Sequence, residues 1–135
     1  MKVAVRYYTR SGNTRKLAEA IAEAVGVTAQ PVSVDLDEQT EILFLGSSVY
    51  AAGMDIAVKH FVEDNQNKIG TIYNFSTAAL LSSTYKQMKK LAEECGVELS
   101  AREFHCRGSF GPLHKGRPNE ADLAAARTFA QDICR

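Results

Sequence analysis

Val3-Ala4-Val5-Arg6-Tyr7-Tyr8-Thr9-Arg10-Ser11-Gly12-Asn13-Thr14 is the stretch that decides the reading of this chain. Its first half is a largely apolar run of strand length, and its second half is small, hydroxylated or amide-bearing. Directly behind it Leu17, Ala18, Ile21, Ala22 and Val25 recur at helical spacing. A strand that turns through such a loop into a helix forms an anion site. The first helical N–H groups have no partner within the helix, and the helix dipole favours negative charge there. Thr9, Ser11 and Thr14 add hydroxyls, Asn13 an amide, and Gly12 admits a close backbone approach. Helix N-caps select the same residue types, but three hydroxyls and an Asn around one Gly exceed what one cap needs. The loop reads as a cradle for a phosphate monoester.

A chain of 135 residues with 45% hydrophobic and 24% charged residues is expected to form one domain with a real core. No apolar run has membrane-spanning length, and the N-terminus has no signal-peptide pattern, so a cytoplasmic protein without membrane association is expected. Cys95, Cys106 and Cys134 form no CxxC pair, and their odd count speaks against a disulfide framework. The 16 basic and 16 acidic residues balance to zero without a basic run, which gives no reason to expect nucleic acid as a partner. His60, His105 and His114 lack carboxylate or Cys partners at ligand spacing, so no metal is expected.

Onward from the first helix, which should end at Gly26, the pattern alternates between strand and helix. Val32, Val34 and Leu36 alternate with polar residues, as in a half-exposed strand near a sheet edge. Ile42-Leu43-Phe44-Leu45 is continuous, as in a strand covered on both faces, and stops at the small-residue loop Gly46–Gly53 with its single aromatic, Tyr50. A short helix is expected from about Asp55 to Asp64, with Val58, Phe61 and Val62 inward. A fourth strand, Ile69–Phe75, runs into a loop at Ser76–Ala79. Tyr85, Met88, Leu91, Ala92 and Cys95 mark a core-facing helix that closes at Gly96. A fifth strand near Ala101–Cys106 leads into a Gly-rich connector ending at Pro118. Asn119 and Asp122 then offer a capping box for a last helix buried through Leu123, Ala126, Ala130 and Ile133.

Five strands alternating with helices predict an α/β three-layer sandwich: a parallel sheet with helices on both faces and its ligand beyond the carboxyl ends of the strands. Several nucleotide-site readings fail on residues. A phosphoryl receiver needs acidic residues where Tyr8-Thr9 and Gly46-Ser47 stand. GxxxxGK[ST] is absent, and Gly12 stands alone where GxGxxG would be needed.

The pattern that remains resembles the short-chain flavodoxins. Their phosphate loop, Ser/Thr-x-Ser/Thr-Gly-x-Thr, is matched by Thr9, Ser11, Gly12 and Thr14, and Asn13 is the common residue at its variable place. Their third strand ends in Gly-[Ser/Thr]-x-x-aromatic, matched by Gly46, Ser47 and Tyr50. The resemblance covers the whole chain, 1–135, and implies a flavodoxin-like FMN-binding domain with strand order 2-1-3-4-5.

It also implies the site. Thr9, Arg10, Ser11, Gly12, Asn13 and Thr14 would hold the phosphate of noncovalently bound FMN. Ser48, Val49, Tyr50, Ala51 and Gly53 would line the ring, with Tyr50 stacked on it, and Ser76, Thr77 and Ala78 would meet its polar edge. No catalytic side chain is implied. Two departures stand out. The fourth-strand loop has no aromatic, so the second stacking partner is either missing or supplied by Phe110. Ala51 also stands where the family often has a glycine whose carbonyl turns to flavin N5–H, Gly53 following two residues later. The implied function is one-electron transfer between a reductase and an acceptor protein. The alternatives are a small FMN-dependent oxidoreductase of quinone-reductase or protoporphyrinogen-oxidase type, and a flavodoxin-like binding domain without flavin.

Overall fold

The structure is a computed structural model that describes residues 2–10, 12–48, 55–78, 83–108 and 116–135. At its centre β1 (Val3–Tyr7) pairs with β2 (Ala29–Pro31) on one side and β3 (Thr40–Ser48) on the other. β3 pairs with β4 (Ile69–Ala78), and β4 pairs with both β5 (Glu98–Leu99) and β6 (Phe104–Arg107). Every pairing is parallel. The order β2-β1-β3-β4-β5 is the expected 2-1-3-4-5, with the fifth strand delivered in two pieces. Between those pieces Ser100 N still reaches Ile72 O at 2.9 Å, and Ser100 Oγ then accepts from Arg102 N at 3.1 Å. That local bond turns the chain out of the ladder before it rejoins at Phe104.

The continuous apolar run of β3 is explained by two cores. Phe44, together with Val5 and Phe75, packs against Leu17 and Ile21 of α1 (Asn13–Val25) and Ala126 and Ala130 of α4 (Glu120–Ile133). Leu43 and Leu45, on the opposite face, join Val58 and Phe61 of α2 (Ile56–Asn65) and Met88 and Leu91 of α3 (Tyr85–Cys95). Successive strand residues alternate between faces, so a sheet covered on both sides needs apolar residues at every position. Burying each such side chain contributes about 1.5–3 kcal/mol. The helix ends fall where the caps place them. α1 and α3 close on Gly26 and Gly96, and α4 starts with the expected capping box, Asn119 Oδ1 accepting from Asp122 N at 3.0 Å and Asp122 Oδ2 from Asn119 N at 2.8 Å.

Besides the fifth strand, expected near Ala101–Cys106 and found as Glu98–Leu99 and Phe104–Arg107, three boundaries differ from expectation. β2 is Ala29–Pro31, and the alternating Val32, Val34 and Leu36 lie beyond it. β1 runs out at Tyr7, which pairs with Pro31, so an edge strand has nothing further to pair with. Arg6 takes over instead: its buried guanidinium donates to Val34 O at 2.9 Å, Asp35 O at 3.2 Å and Val5 O at 3.1 Å. Val32 and Leu36 are still buried, so the alternation is real although the strand is not.

β3 and β4 are longer than expected. Ser47 and Ser48 pair with Ser76 and Thr77, so residues expected in loops are strand residues. Mutual pairing between neighbours overrides the weak strand propensity of serine. Among the described residues, no helix is long and apolar enough to cross a membrane.

Candidate functional site

Parallel pairing brings the carboxyl ends of β1, β3, β4 and β6 to one edge, and the first turn of α1 begins there. Tyr8 N donates to Gly46 O at 3.0 Å, which joins the end of β1 to β3. Thr9 Oγ1 then accepts from Gly12 N at 3.0 Å, closing a tight turn. Gly12 is the N-cap of α1 at φ 89°, a left-handed conformation that side chains resist, and it brings no side chain of its own to cap the helix. Lys16 N to Gly12 O, 3.2 Å, is the first helical bond, so the N–H groups of Asn13, Thr14 and Arg15 precede the helical ladder. No acidic residue stands in that first turn. By contrast α2 is capped by Asp55, whose Oδ1 accepts from Ala57 N at 2.9 Å.

Behind this turn the other strand ends converge. Thr14 Oγ1 and Thr77 Oγ1 lie 3.0 Å apart, with Thr14 0% and Thr77 2% exposed. Gly108, just past β6, packs against Asn13 and Thr77. On the other face of β4, Asn74 and Thr84 exchange hydrogen bonds of 3.0 and 3.2 Å, and Thr84 N donates to Ser76 Oγ at 3.4 Å. Ser47, opposite Ser76 in the ladder, is fully buried, and its Oγ has no hydrogen-bond partner among the described residues.

Of the residues expected at the site, Thr9, Gly12, Asn13, Thr14, Ser76, Thr77 and Ala78 are thus gathered at one sheet edge, with the backbone of Ser48 beside Thr77. Arg10 sits at the same edge but turns outward. It is 60% exposed, with Nη2 3.1 Å from Asp55 Oδ2. The amide of Ala57, with Arg10 and the Tyr8 hydroxyl, holds the Asp55 carboxyl below the usual carboxylate range. Ser11, Val49, Tyr50, Ala51 and Gly53 lie outside the described residues, as does Phe110.

Residues not expected at this edge are Asp55 and Thr84. The Asx cap at Asp55 was legible as a helix start, but its ion pair with a residue 45 positions away was not. Cys106, partly buried on β6 beside Thr77, has its thiol pushed up to about 12, first by burial and then by Asp122. It behaves as a packing residue and not as a thiolate nucleophile.

A doubly wound parallel sheet with an acid-free helix N-terminus and clustered hydroxyls at the β1/β3 switch point defines an α/β protein of the flavodoxin-like class. Residues 4–111 match the flavodoxin domain family, and the chain belongs to it. It is 28% identical, over 91% of each chain, to the uncharacterized protein MJ0298 of Methanocaldococcus jannaschii. In fold it resembles a flavodoxin from the domain Archaea, with TM-score 0.79 and 20% identity, covering 98% of this chain and 96% of that one. It also resembles flavodoxin 2 from Bacillus cereus, with TM-score 0.72 and 18% identity, covering 99% and 98%.

The family's fold implies a flavin cofactor, and the residues present fit one. The donors at the edge are neutral hydroxyls and backbone amides without a competing carboxylate in the first turn, which suits a phosphate ester.

Proposed function

We propose that this chain binds FMN noncovalently and carries single electrons between a reductase and an acceptor protein. The observation that carries the reading is the meeting of the acid-free first turn of α1 with the buried Thr14–Thr77 hydroxyl pair at the switch point of the sheet. FMN, when bound, supplies a centre that takes up and releases electrons singly or in pairs. The chain's own part is to hold it. The amides of Asn13, Thr14 and Arg15 and the hydroxyls of Thr9, Ser11 and Thr14 bind the phosphate, each charge-assisted bond contributing about 1.5–3 kcal/mol. Tyr50, which the family resemblance puts at the ring, is the residue we assign to stack on one of its faces. Ser76, Thr77 and Ala78 meet the polar edge from β4.

A second reading, a small FMN-dependent oxidoreductase of quinone-reductase or protoporphyrinogen-oxidase type, is favoured by the zero net charge, which gives no overall field for steering toward a charged partner. The test is a spectrum of the purified protein, followed by titration of the apoprotein with FMN and stepwise anaerobic reduction. Stoichiometric flavin without NAD(P)H oxidation supports the carrier. Direct turnover of NAD(P)H replaces it with the enzyme, and failure to bind FMN removes both.

A further inference from the structure

The zero net charge conceals a division of charge along the strand axis. A helix between parallel strands runs back against them, so the first halves of α1, α2 and α3 lie toward the site edge and their second halves toward the opposite edge. α1 carries Arg15 and Lys16 before Glu19 and Glu23. α2 carries Lys59 and His60 before Glu63 and Asp64. α3 carries Lys86, Lys89 and Lys90 before Glu93 and Glu94.

The connections repeat the pattern. Residues 8–14, 46–54, 76–82 and 106–118 contain no Asp or Glu, whereas the segment leading into β3 at the far edge holds Asp37 and Glu38. Acids near the site edge are engaged: Asp55 with Arg10 at 3.1 Å, Asp122 with Arg117 at 2.6 Å, Glu120, itself 82% exposed, with Arg127 at 3.2 Å, and Glu103, next to the start of α3, with the Ser83 hydroxyl. Lys86, Lys89 and Lys90 are exposed, with no acidic side chain at ion-pair distance among the described residues.

Cations early and anions late in a helix oppose its dipole, and they do so in α1, α2 and α3; among the described residues only α1 offsets this with an i,i+4 ion pair, Arg15–Glu19 at 3.4 Å. What the arrangement does produce is a positive face at the edge where the cofactor would sit.

We infer that the first halves of α2 and α3 form a docking surface for a redox protein that presents an acidic face. This rests on the electron-carrier reading and adds the sign of the partner's charge. A protein fits better than a nucleic acid because the electron must come from or pass to a redox centre brought against this edge. Complementary charge at such a face speeds encounter, and salt suppresses the effect.

The test uses the FMN-loaded chain, reduced with dithionite and freed of excess reductant, mixed with native cytochrome c, which is basic, or with cytochrome c succinylated on its lysines, which is acidic. Each ferric haem takes one electron from the reduced flavin and becomes ferrous, followed at the haem band. At low salt the succinylated form is expected to be reduced at least about tenfold faster than the native form, the gap closing by about 0.5 M NaCl. The triple variant Lys86→Glu, Lys89→Glu, Lys90→Glu should abolish or invert the preference while its FMN affinity stays unchanged. Equal rates, or faster reduction of native cytochrome c, overturn the inference and leave the carrier reading intact. Tight binding of double-stranded DNA at physiological salt overturns it in favour of a nucleic-acid face. A flavin-loaded protein that reduces neither cytochrome removes the carrier reading, and the docking surface with it.

Discussion

Thr14 Oγ1 and Thr77 Oγ1 are 3.0 Å apart in the buried angle between α1 and β4, which ties the phosphate-loop helix to the strand that would meet the flavin ring. Arg10, four residues earlier, points to solvent and is held by Asp55. A buried hydroxyl close to a phosphate contributes about 1.5–3 kcal/mol, an exposed ion pair about 0–1 kcal/mol. Thr14→Ala is therefore expected to weaken FMN binding more than Arg10→Ala does, by roughly tenfold or more. A flavin-fluorescence titration at moderate salt measures both, and the reverse order would refute the ranking.

Gly46 faces Phe75 across β3 and β4, and a Cβ at Gly46 would fall inside the Phe75 ring. Gly46→Ala should destabilise the protein by about 1–3 kcal/mol through overpacking. Adding Phe75→Leu to Gly46→Ala should make the double variant lose less than the two single losses combined. Urea unfolding of the three variants tests this, and strict additivity would show that the ring is not the obstacle.

Arg6 replaces, with one side chain, the strand pairing that β1 can no longer offer beyond Tyr7. Burial lowers the affinity of its guanidinium for the proton, which Asp37 and Asp35 offset, and it remains charged at all ordinary pH. Arg6→Met should cost about 1–3 kcal/mol, because the carbonyls of Val34 and Asp35 lose their donor. Hydrogen exchange should rise first across residues 32–36. Unchanged protection there would argue that burial of Val32 and Leu36 and the bonds of Leu36 to Asn65 and Lys68 hold the segment without Arg6.

Asp122 is held below the usual carboxylate range, chiefly by Arg117 and also by the amide of Asn119. A carboxyl depressed in the folded state stabilises it above the unfolded value near pH 4, and that contribution is lost as pH falls through the folded value. Asp122→Asn should therefore lower stability at pH 7 and matter progressively less below about pH 4. Asn119→Ala, which removes the other half of the capping box, should cost about 0.5–2 kcal/mol at pH 7. An Asp122→Asn difference that is as large at pH 3 as at pH 7 would assign the effect to packing.

With its thiol pushed up to about 12 by burial, Cys106 is protonated at pH 8. It should resist a disulfide reagent there in the native protein and react once the chain is unfolded in urea, as peptide mapping would show. Rapid native labelling of Cys106 would show that its thiol is accessible and reactive in the folded chain.

Periodicity and caps made the helices legible. Leu17, Ala18, Ile21 and Ala22 recur at helical spacing, Gly26 and Gly96 stop their helices, and Asn119 with Asp122 announces α4; the structure places each there. Strand ends were less legible. Ser47, Ser76 and Thr77 look like loop residues in one dimension, because what keeps them extended is the adjacent strand.

From residue order alone came the alternation of strand and helix, the strand order through a family resemblance, and the hydroxyl-rich loop that opens α1. These rest on interactions within a few residues, where spacing and chemistry are written directly in the chain. Only the folded chain decided that Arg10 answers to Asp55, that Thr14 meets Thr77, that Arg6 finishes the edge of the sheet, and that balanced charges separate toward opposite ends. Each of those depends on which strands lie side by side and which way the helices run, and long-range contact geometry of that kind has no local period to read.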